Sequence, residues 1–223
     1  MEMNYIFAAD TSVLTDDYLF EAAYARATDK RKEKVDRYHF RRDQCAALGA
    51  ELLLQRALNR LGIRAFAYSY GDAGKPYLAG EDGVFFSLSH SGDYALCAVS
   101  EYEIGADIEM VRGVDLKIAK RFYCRSEYED IAARETEEAR QERFFRYWTL
   151  KESFLKAAGC GLRVPMDECE IVLQDGISVV QKIDPRSFFF REYDGVAGCK
   201  CAACTADAPF MAELQMINLI DCL

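Results

Sequence analysis

Trp148, Glu152 and Lys156 stand four residues apart in the run Arg146-Tyr-Trp-Thr-Leu-Lys-Glu-Ser-Phe-Leu-Lys-Ala-Ala-Gly-Cys-Gly-Leu162, so on a helix their side chains share one stripe. A glutamate that can hold a divalent cation then lies one turn from a lysine that can hold a phosphate. An ordinary solvated Glu–Lys pair has the same spacing. Leu150, Phe154, Leu155 and Ala158 fall on the opposite side and suit a core, and Gly159 and Gly161 supply the backbone freedom that ends the helix. Upstream, Ile104-Gly-Ala-Asp-Ile-Glu109 alternates small or apolar with acidic residues and reads as a short strand, with Asp107 and Glu109 on one face. Two such carboxylates repel each other unless something positive lies between them, and magnesium is an ordinary solution. A solvated acidic strand face would need no metal.

The elements that must position these groups recur in one order. In the first half a helix over 43–61 leads through a strand at 65–70 to a hairpin, 84–88 and 94–100, around Ser91-Gly-Asp93. In the second half a helix over 141–158 leads through 168–173 to strands at 177–183, 187–193 and 200–205. No proline-rich or low-complexity linker separates the halves, so an α+β pair is expected, 1–102 and 103–223, joined near Tyr102 with a ligand cleft between them.

The chain has 223 residues and a formal net charge of −9, enough to bury a core and the wrong sign for a nucleic-acid partner. No apolar run approaches a membrane span, and the segment from Met1 to Asp10 lacks the pattern of a signal peptide, so no membrane partner and a cytoplasmic location are expected. Between Arg26 and Arg42 eight basic residues face three acidic ones, a local surplus that suits a polyphosphate or an acidic partner, or a solvated helix. The nine cysteines sit mostly in apolar runs and read as reduced thiols. Cys199-Lys-Cys-Ala-Ala-Cys204 could bind zinc with a fourth ligand from elsewhere. Its alternation reads instead as a strand, with Cys199, Cys201 and Ala203 facing one way and Cys204 the other.

Four blocks occur in order: Gly74-Lys-Pro, Ser87-Leu-Ser-His-Ser91, Gly105-Ala-Asp-Ile-Glu109 and Trp148-Thr-Leu-Lys-Glu-Ser-Phe-Leu-Lys156 with its trailing glycines. In these the chain resembles the 4'-phosphopantetheinyl transferases, specifically the surfactin-synthetase-activating type. The resemblance covers most of the chain and is weakest in the first 25 and last 15 residues. It implies a monomer of two pseudo-twofold-related halves, each a helix packed on a small antiparallel sheet, with coenzyme A bound between them. The implied reaction moves the 4'-phosphopantetheine arm of coenzyme A to a serine of an acyl or peptidyl carrier protein and releases adenosine 3',5'-bisphosphate.

By the same resemblance Asp107, Glu109 and Glu152 would bind Mg2+, and Glu152 would be the general base, directly or through water. Arg31, Lys34, Lys75, Ser89, His90, Asp107 and Lys156 would hold coenzyme A. A phosphate beside His90 would favour the charged imidazole. Members of this type commonly carry an arginine where this chain has Gln44-Cys-Ala-Ala47, so Arg41 or Arg42 is expected to substitute. Glu127 matches a further block, and helix capping explains it as well as catalysis does. For the carrier protein, Leu116, Lys120, Phe122 and Tyr123 offer a mixed basic and apolar surface, although an amphipathic core helix explains that stretch too. A metal-dependent nucleotide phosphohydrolase would use the same carboxylates and lysines but leaves Ser-His-Ser and Gly-Lys-Pro unexplained. A non-catalytic coenzyme A or carrier-binding protein would not require three carboxylates.

Overall fold

The structure is a computed structural model that describes residues 4–223; the first three residues of the N-terminal segment considered above lie outside it. In chain order the first half contains β1 (Tyr5–Asp10), α1 (Asp17–Arg26), α2 (Asp29–Val35), α3 (Arg41–Arg60), β2 (Tyr68–Tyr70), β3 (Pro76–Leu78), β4 (Phe85–Ser91) and β5 (Tyr94–Ser100). The second contains β6 (Ile104–Met110), α4 (Lys117–Phe122), α5 (Arg125–Ala132), α6 (Glu137–Ala158), β7 (Cys169–Val172), β8 (Ser178–Gln181), β9 (Phe188–Tyr193), β10 (Cys199–Ala206) and β11 (Leu214–Met216).

Each half lays its long helix on a sheet. In the first the sheet order is β11-β1-β5-β4, and in the second it is β6-β10-β9; β2-β3 and β7-β8 are two-stranded ribbons. Strand alternation divides the core into three layers. Phe7, Ala9, Cys97 and Val99 face α3, where Leu48, Leu52 and Leu53 meet them. Ile6, Ala8, Leu96 and Ala98 face the other way, onto Ile104, Ala106, Ile108, Cys201 and Ala203 of the second sheet. Ala202 and Cys204 turn outward to Phe154 and its neighbours on α6. The order is therefore helix, sheet, sheet, helix, and the two halves meet sheet to sheet. The face assignments expected for Cys201, Ala203 and Cys204 agree with this packing, and all nine thiols are free.

The helix of the second half begins four residues before its expected start. Thr136 accepts the Ala139 amide at 3.1 Å, and Glu137 and Glu138 complement the positive helix end. Gly159, at φ 73°, closes its far end in the left-handed conformation. A larger departure is β11. This strand follows the second half in sequence yet pairs in parallel with β1, Ile6 opposite Leu214 and Ala8 opposite Met216. The first sheet is thus not wholly antiparallel, and the segment after β10 crosses back over the expected division at residue 102. Among the described residues no helix is long and apolar enough to cross a membrane.

The two sheets are also joined at their edges. Ser87, Ser89 and Ser91 alternate along edge strand β4 and point their hydroxyls at edge strand β6. Ser87 Oγ accepts the Ala106 amide at 2.9 Å, and Ser91 Oγ accepts the Met110 amide at 3.1 Å. Backbone donors that an open edge would leave to solvent are satisfied by serine.

Candidate active site

Gly105 sets the distance between β6 and α6. A Cβ at this position would lie 2.0 Å from the Ser153 carbonyl oxygen and 2.5 Å from the Ala157 amide nitrogen, both backbone atoms. Only glycine lets strand and helix approach so closely. Two residues on, Asp107 is buried, and its Oδ1 accepts from Lys156 Nζ at 2.6 Å and from Ser89 Oγ at 2.7 Å. Its Oδ2 is buried with no partner. Lys156 also donates to the Ala106 carbonyl at 3.1 Å. Glu109, on the same face of β6, accepts from Ser91 Oγ at 2.7 Å. The two alternate serines therefore hold the two alternate carboxylates.

Glu152 lies one turn before Lys156 on α6 and is partly buried. Burial raises its proton affinity above that of an ordinary carboxylate; the Lys156 charge opposes this, while Asp107 and Glu109 add to it. Burial likewise raises Glu109, the Ser91 hydrogen bond opposes it, and Asp107 adds to it. The three acidic groups share one electrostatic neighbourhood. Among the described residues, however, no group of three or more His, Cys, Asp or Glu side chains stands gathered to hold a metal ion. The donor chemistry still fits a hard cation: all three groups supply carboxylate oxygens, the charges repel, and one buried oxygen of Asp107 is unpartnered.

These groups border a cleft of about 400 Å³ lined by Arg31, Lys34, Lys75, Ser89, His90, Glu152 and Lys156, with Gly74, Gly159 and Gly161 among its walls. Burial lowers Lys34 below an ordinary lysine, and the charges of Arg31 and Lys156 lower it further. His90 is pushed down to about 4 by burial and then by Lys34, Lys156 and Arg31. A neighbouring hollow of about 590 Å³ shares Arg31 and Lys34 and adds Lys30, Arg37, Tyr68 and Tyr70. Crowded cations beside a neutral imidazole make a receptor for an anion with more than one phosphate.

Every residue expected to hold coenzyme A except Asp107 lines this cleft, and Asp107 is bonded directly to two that do. Two of them carry partners that sequence reasoning missed. Arg31 Nε bonds Glu51 Oε2 at 2.9 Å, and Tyr68 donates to the same oxygen at 2.8 Å. Lys75 forms an ion pair with Glu103 and donates to the Ile104 carbonyl at 3.1 Å, which ties the Gly-Lys-Pro turn to the start of β6. Glu51 interrupts the apolar run Gly49-Ala50-Glu51-Leu52, and a charge inside a buried stripe was the available signal. The Ser-x-Ser-x-Ser alternation was the signal for the edge ladder.

Four expectations are corrected or resolved. Arg41 pairs with Asp17 at 2.9 Å and stacks over Phe20, and Arg42 grips Asp93 with two bonds of 2.7 and 2.9 Å, so neither lines the cleft or the hollow beside it. Glu127 caps: its Oε2 accepts the Cys124 amide at 2.8 Å and its Oε1 accepts the Ile171 amide at 2.7 Å. It is also the counterion of fully buried Lys151 at 2.8 Å. Tyr123 is buried, its hydroxyl donating to the Phe144 carbonyl at 3.1 Å, so it belongs to the core and not to a docking surface. Leu116 is partly covered by the same core, whereas Lys120 and Phe122 are exposed beside Ile118.

The pattern described as 4'-phosphopantetheinyl transferase superfamily matches residues 103–204, and that described as 4'-phosphopantetheinyl transferase, N-terminal, matches residues 15–102. The 4'-phosphopantetheinyl transferase Sfp of Bacillus subtilis is 31% identical over 194 residues, covering 85% of this chain and 86% of that protein. The 4'-phosphopantetheinyl transferase HetI of Nostoc is 45% identical over 112 residues, covering 48% of this chain and 46% of its own. Among solved structures, the holo-[acyl-carrier-protein] synthase of Thermotoga maritima aligns with a TM-score of 0.41 at 22% identity, covering 47% of this chain and 62% of its own.

Proposed function

The chain belongs to the 4'-phosphopantetheinyl transferase superfamily, and we propose that it transfers the 4'-phosphopantetheine moiety of coenzyme A to a serine hydroxyl of an apo acyl or peptidyl carrier protein, releasing adenosine 3',5'-bisphosphate. The observation that carries this reading is the pairing of a cation-lined cleft with Glu152, whose burial raises its proton affinity, at its wall. Coenzyme A brings a diphosphate and a 3'-phosphate; Arg31, Lys34, Lys75, His90 and Lys156 supply the positive charge and the donors to hold them.

A serine hydroxyl is a poor nucleophile at neutral pH, so its proton must leave as the oxygen attacks phosphorus. Glu152 is suited to take that proton because burial makes it a stronger base than a surface carboxylate. Lys156, anchored by Asp107 and the Ala106 carbonyl, is placed to offset negative charge on the phosphoryl oxygens. A magnesium ion held by Asp107, Glu109 and Glu152 would supply further charge compensation at the diphosphate. The enzyme would act as a cytoplasmic monomer of two halves, 1–102 and 103–223, with carrier docking at the exposed Lys120 and Phe122.

Incubation with coenzyme A, magnesium and an apo carrier protein tests the reading by intact mass. A gain of one phosphopantetheine on the carrier serine is expected. Hydrolysed coenzyme A with unmodified carrier would instead mark a phosphohydrolase, and no reaction despite binding would mark a non-catalytic receptor.

A further inference from the structure

Arg26, Arg56, Arg60 and Arg64 gather at the end of α1, along a second face of α3 and in the loop that follows it, and none of them lines the cleft or the hollow beside it. Two hollows of about 360 and 340 Å³ meet there, sharing Arg26, Gln55 and Asn59. Among the described residues none of the four arginines pairs with an acidic side chain. Arg26 donates to the main-chain oxygen of Leu223 at 2.8 Å, and Arg60 donates to Gln215 Oε1 at 3.3 Å and stacks over Phe7. Arg56 has less: its Nη1 meets only Cys222 Sγ at 4.0 Å, and its Nε is buried with no acceptor at all. A single carboxylate, Asp221, lines the groove.

A buried guanidinium donor without an acceptor is costly to keep. Four arginines facing one acidic side chain, in a chain of net charge −9, focus positive potential on this groove. Forked guanidinium donors flanked by side-chain amides match the tetrahedral oxygens of a phosphate better than they match a single point charge. We propose that this groove binds a phosphate-bearing small anion, independently of the nucleotide cleft. The guanidinium groups of Arg26, Arg56, Arg60 and Arg64 surround its oxygens.

Calorimetric titration with inorganic tripolyphosphate at low ionic strength tests this on the intact chain, on Arg56→Gln/Arg60→Gln and on Lys34→Gln/Lys156→Gln, with thermal melting as the control for folding. Two classes of site are expected in the unsubstituted protein. The arginine double variant should lose one of them, with at least about a tenfold weakening for two charge-assisted contacts removed, and the lysine double variant should retain it. Arg64→Gln, an exposed change at the groove mouth, should weaken the same site severalfold without moving the melting temperature, and it decides the matter if the double variant fails to fold. A single class of site, abolished by the lysine changes and untouched by any arginine change, overturns the proposal. Inorganic phosphate and adenosine 3',5'-bisphosphate, titrated separately, distinguish a free-phosphate from a nucleotide ligand. Stronger binding of a glutamate-rich peptide than of tripolyphosphate also overturns the proposal, in favour of an acidic polypeptide.

Discussion

Lys156 Nζ lies 2.6 Å from Asp107 Oδ1, on a carboxylate whose other oxygen is buried and has no partner. Strand and helix meet at this contact, and it couples the two parts of the proposed site: the carboxylates on β6 and the Glu152–Lys156 pair on α6. The bond to Lys156 leaves Asp107 with one satisfied and one waiting oxygen, so the strand is already oriented before any ligand enters.

Replacing Glu152 by Gln keeps the volume and removes the charge. Turnover of apo carrier to holo carrier, followed by mass, should fall by about 10²–10⁴-fold if Glu152 is the base. Burial and the nearby Asp107 and Glu109 charges all disfavour its ionised form, so the melting temperature should hold steady or rise. Near-normal turnover would remove Glu152 from the mechanism.

Gly105→Ala would put a methyl group on the backbone of α6, 2.0 Å from the Ser153 oxygen. Overpacking of this kind costs about 1–3 kcal/mol, more where only backbone can give way. Urea unfolding should show that loss together with a large fall in turnover, because the helix that carries Glu152 and Lys156 is displaced from Asp107. A fully active, equally stable variant would contradict the close approach.

His90 makes stability depend on pH. Its imidazole stands at about 4 in the folded protein against an ordinary value of 6.5, so between those values the unfolded chain binds the extra proton. Stability from this group is whole above about 6.5 and drains away as pH falls toward 4, by up to about 3 kcal/mol. His90→Gln should flatten that part of the urea-unfolding profile. Coenzyme A phosphates should raise the His90 value, so affinity should strengthen as pH is lowered from 7.5. The chain has two histidines, which makes a proton NMR titration with and without ligand a direct check.

Lys151 and Glu127 form a buried ion pair at 2.8 Å, with Lys151 also donating to the Met166 carbonyl at 2.8 Å. Lys151→Met leaves a buried carboxylate uncompensated and should cost about 3–5 kcal/mol in urea unfolding. Glu127→Gln in the same background should cost much less than it does alone, and a double-mutant cycle reads the difference. Additive costs would mean that the pair is not coupled.

Much of the architecture is legible in the amino-acid sequence because long periodic segments announce themselves. The helix ending at Gly159, the hairpin around Gly92 and the strand carrying Asp107 lie within a few residues of where their patterns place them. The helix start at Glu137 was missed because Thr136 and two glutamates act through end effects rather than periodicity. β1, α1 and β11 were not foreseen, and α2 was read only as one alternative for the basic segment; it is seven residues long and mostly charged, so it has no apolar stripe to fix its bounds. At the site, residue identities were legible but commitments were not. That Arg31 is held by Glu51 and Lys75 by Glu103 depends on side chains brought together from distant parts of the chain. Glu127 was ambiguous for the same reason, since only the fold brings Lys151 and the Ile171 amide to it.

The parallel pairing of β11 with β1 has a consequence during synthesis. A ribosome releases β1 about two hundred residues before its neighbour β11, so the outer edge of β1 stays bare while the elements between them are being made. That interval is when another nascent chain could pair there. Emergence of β11 seals it, which makes synthesis of that strand, rather than folding of the first half, the step that closes this edge against aggregation.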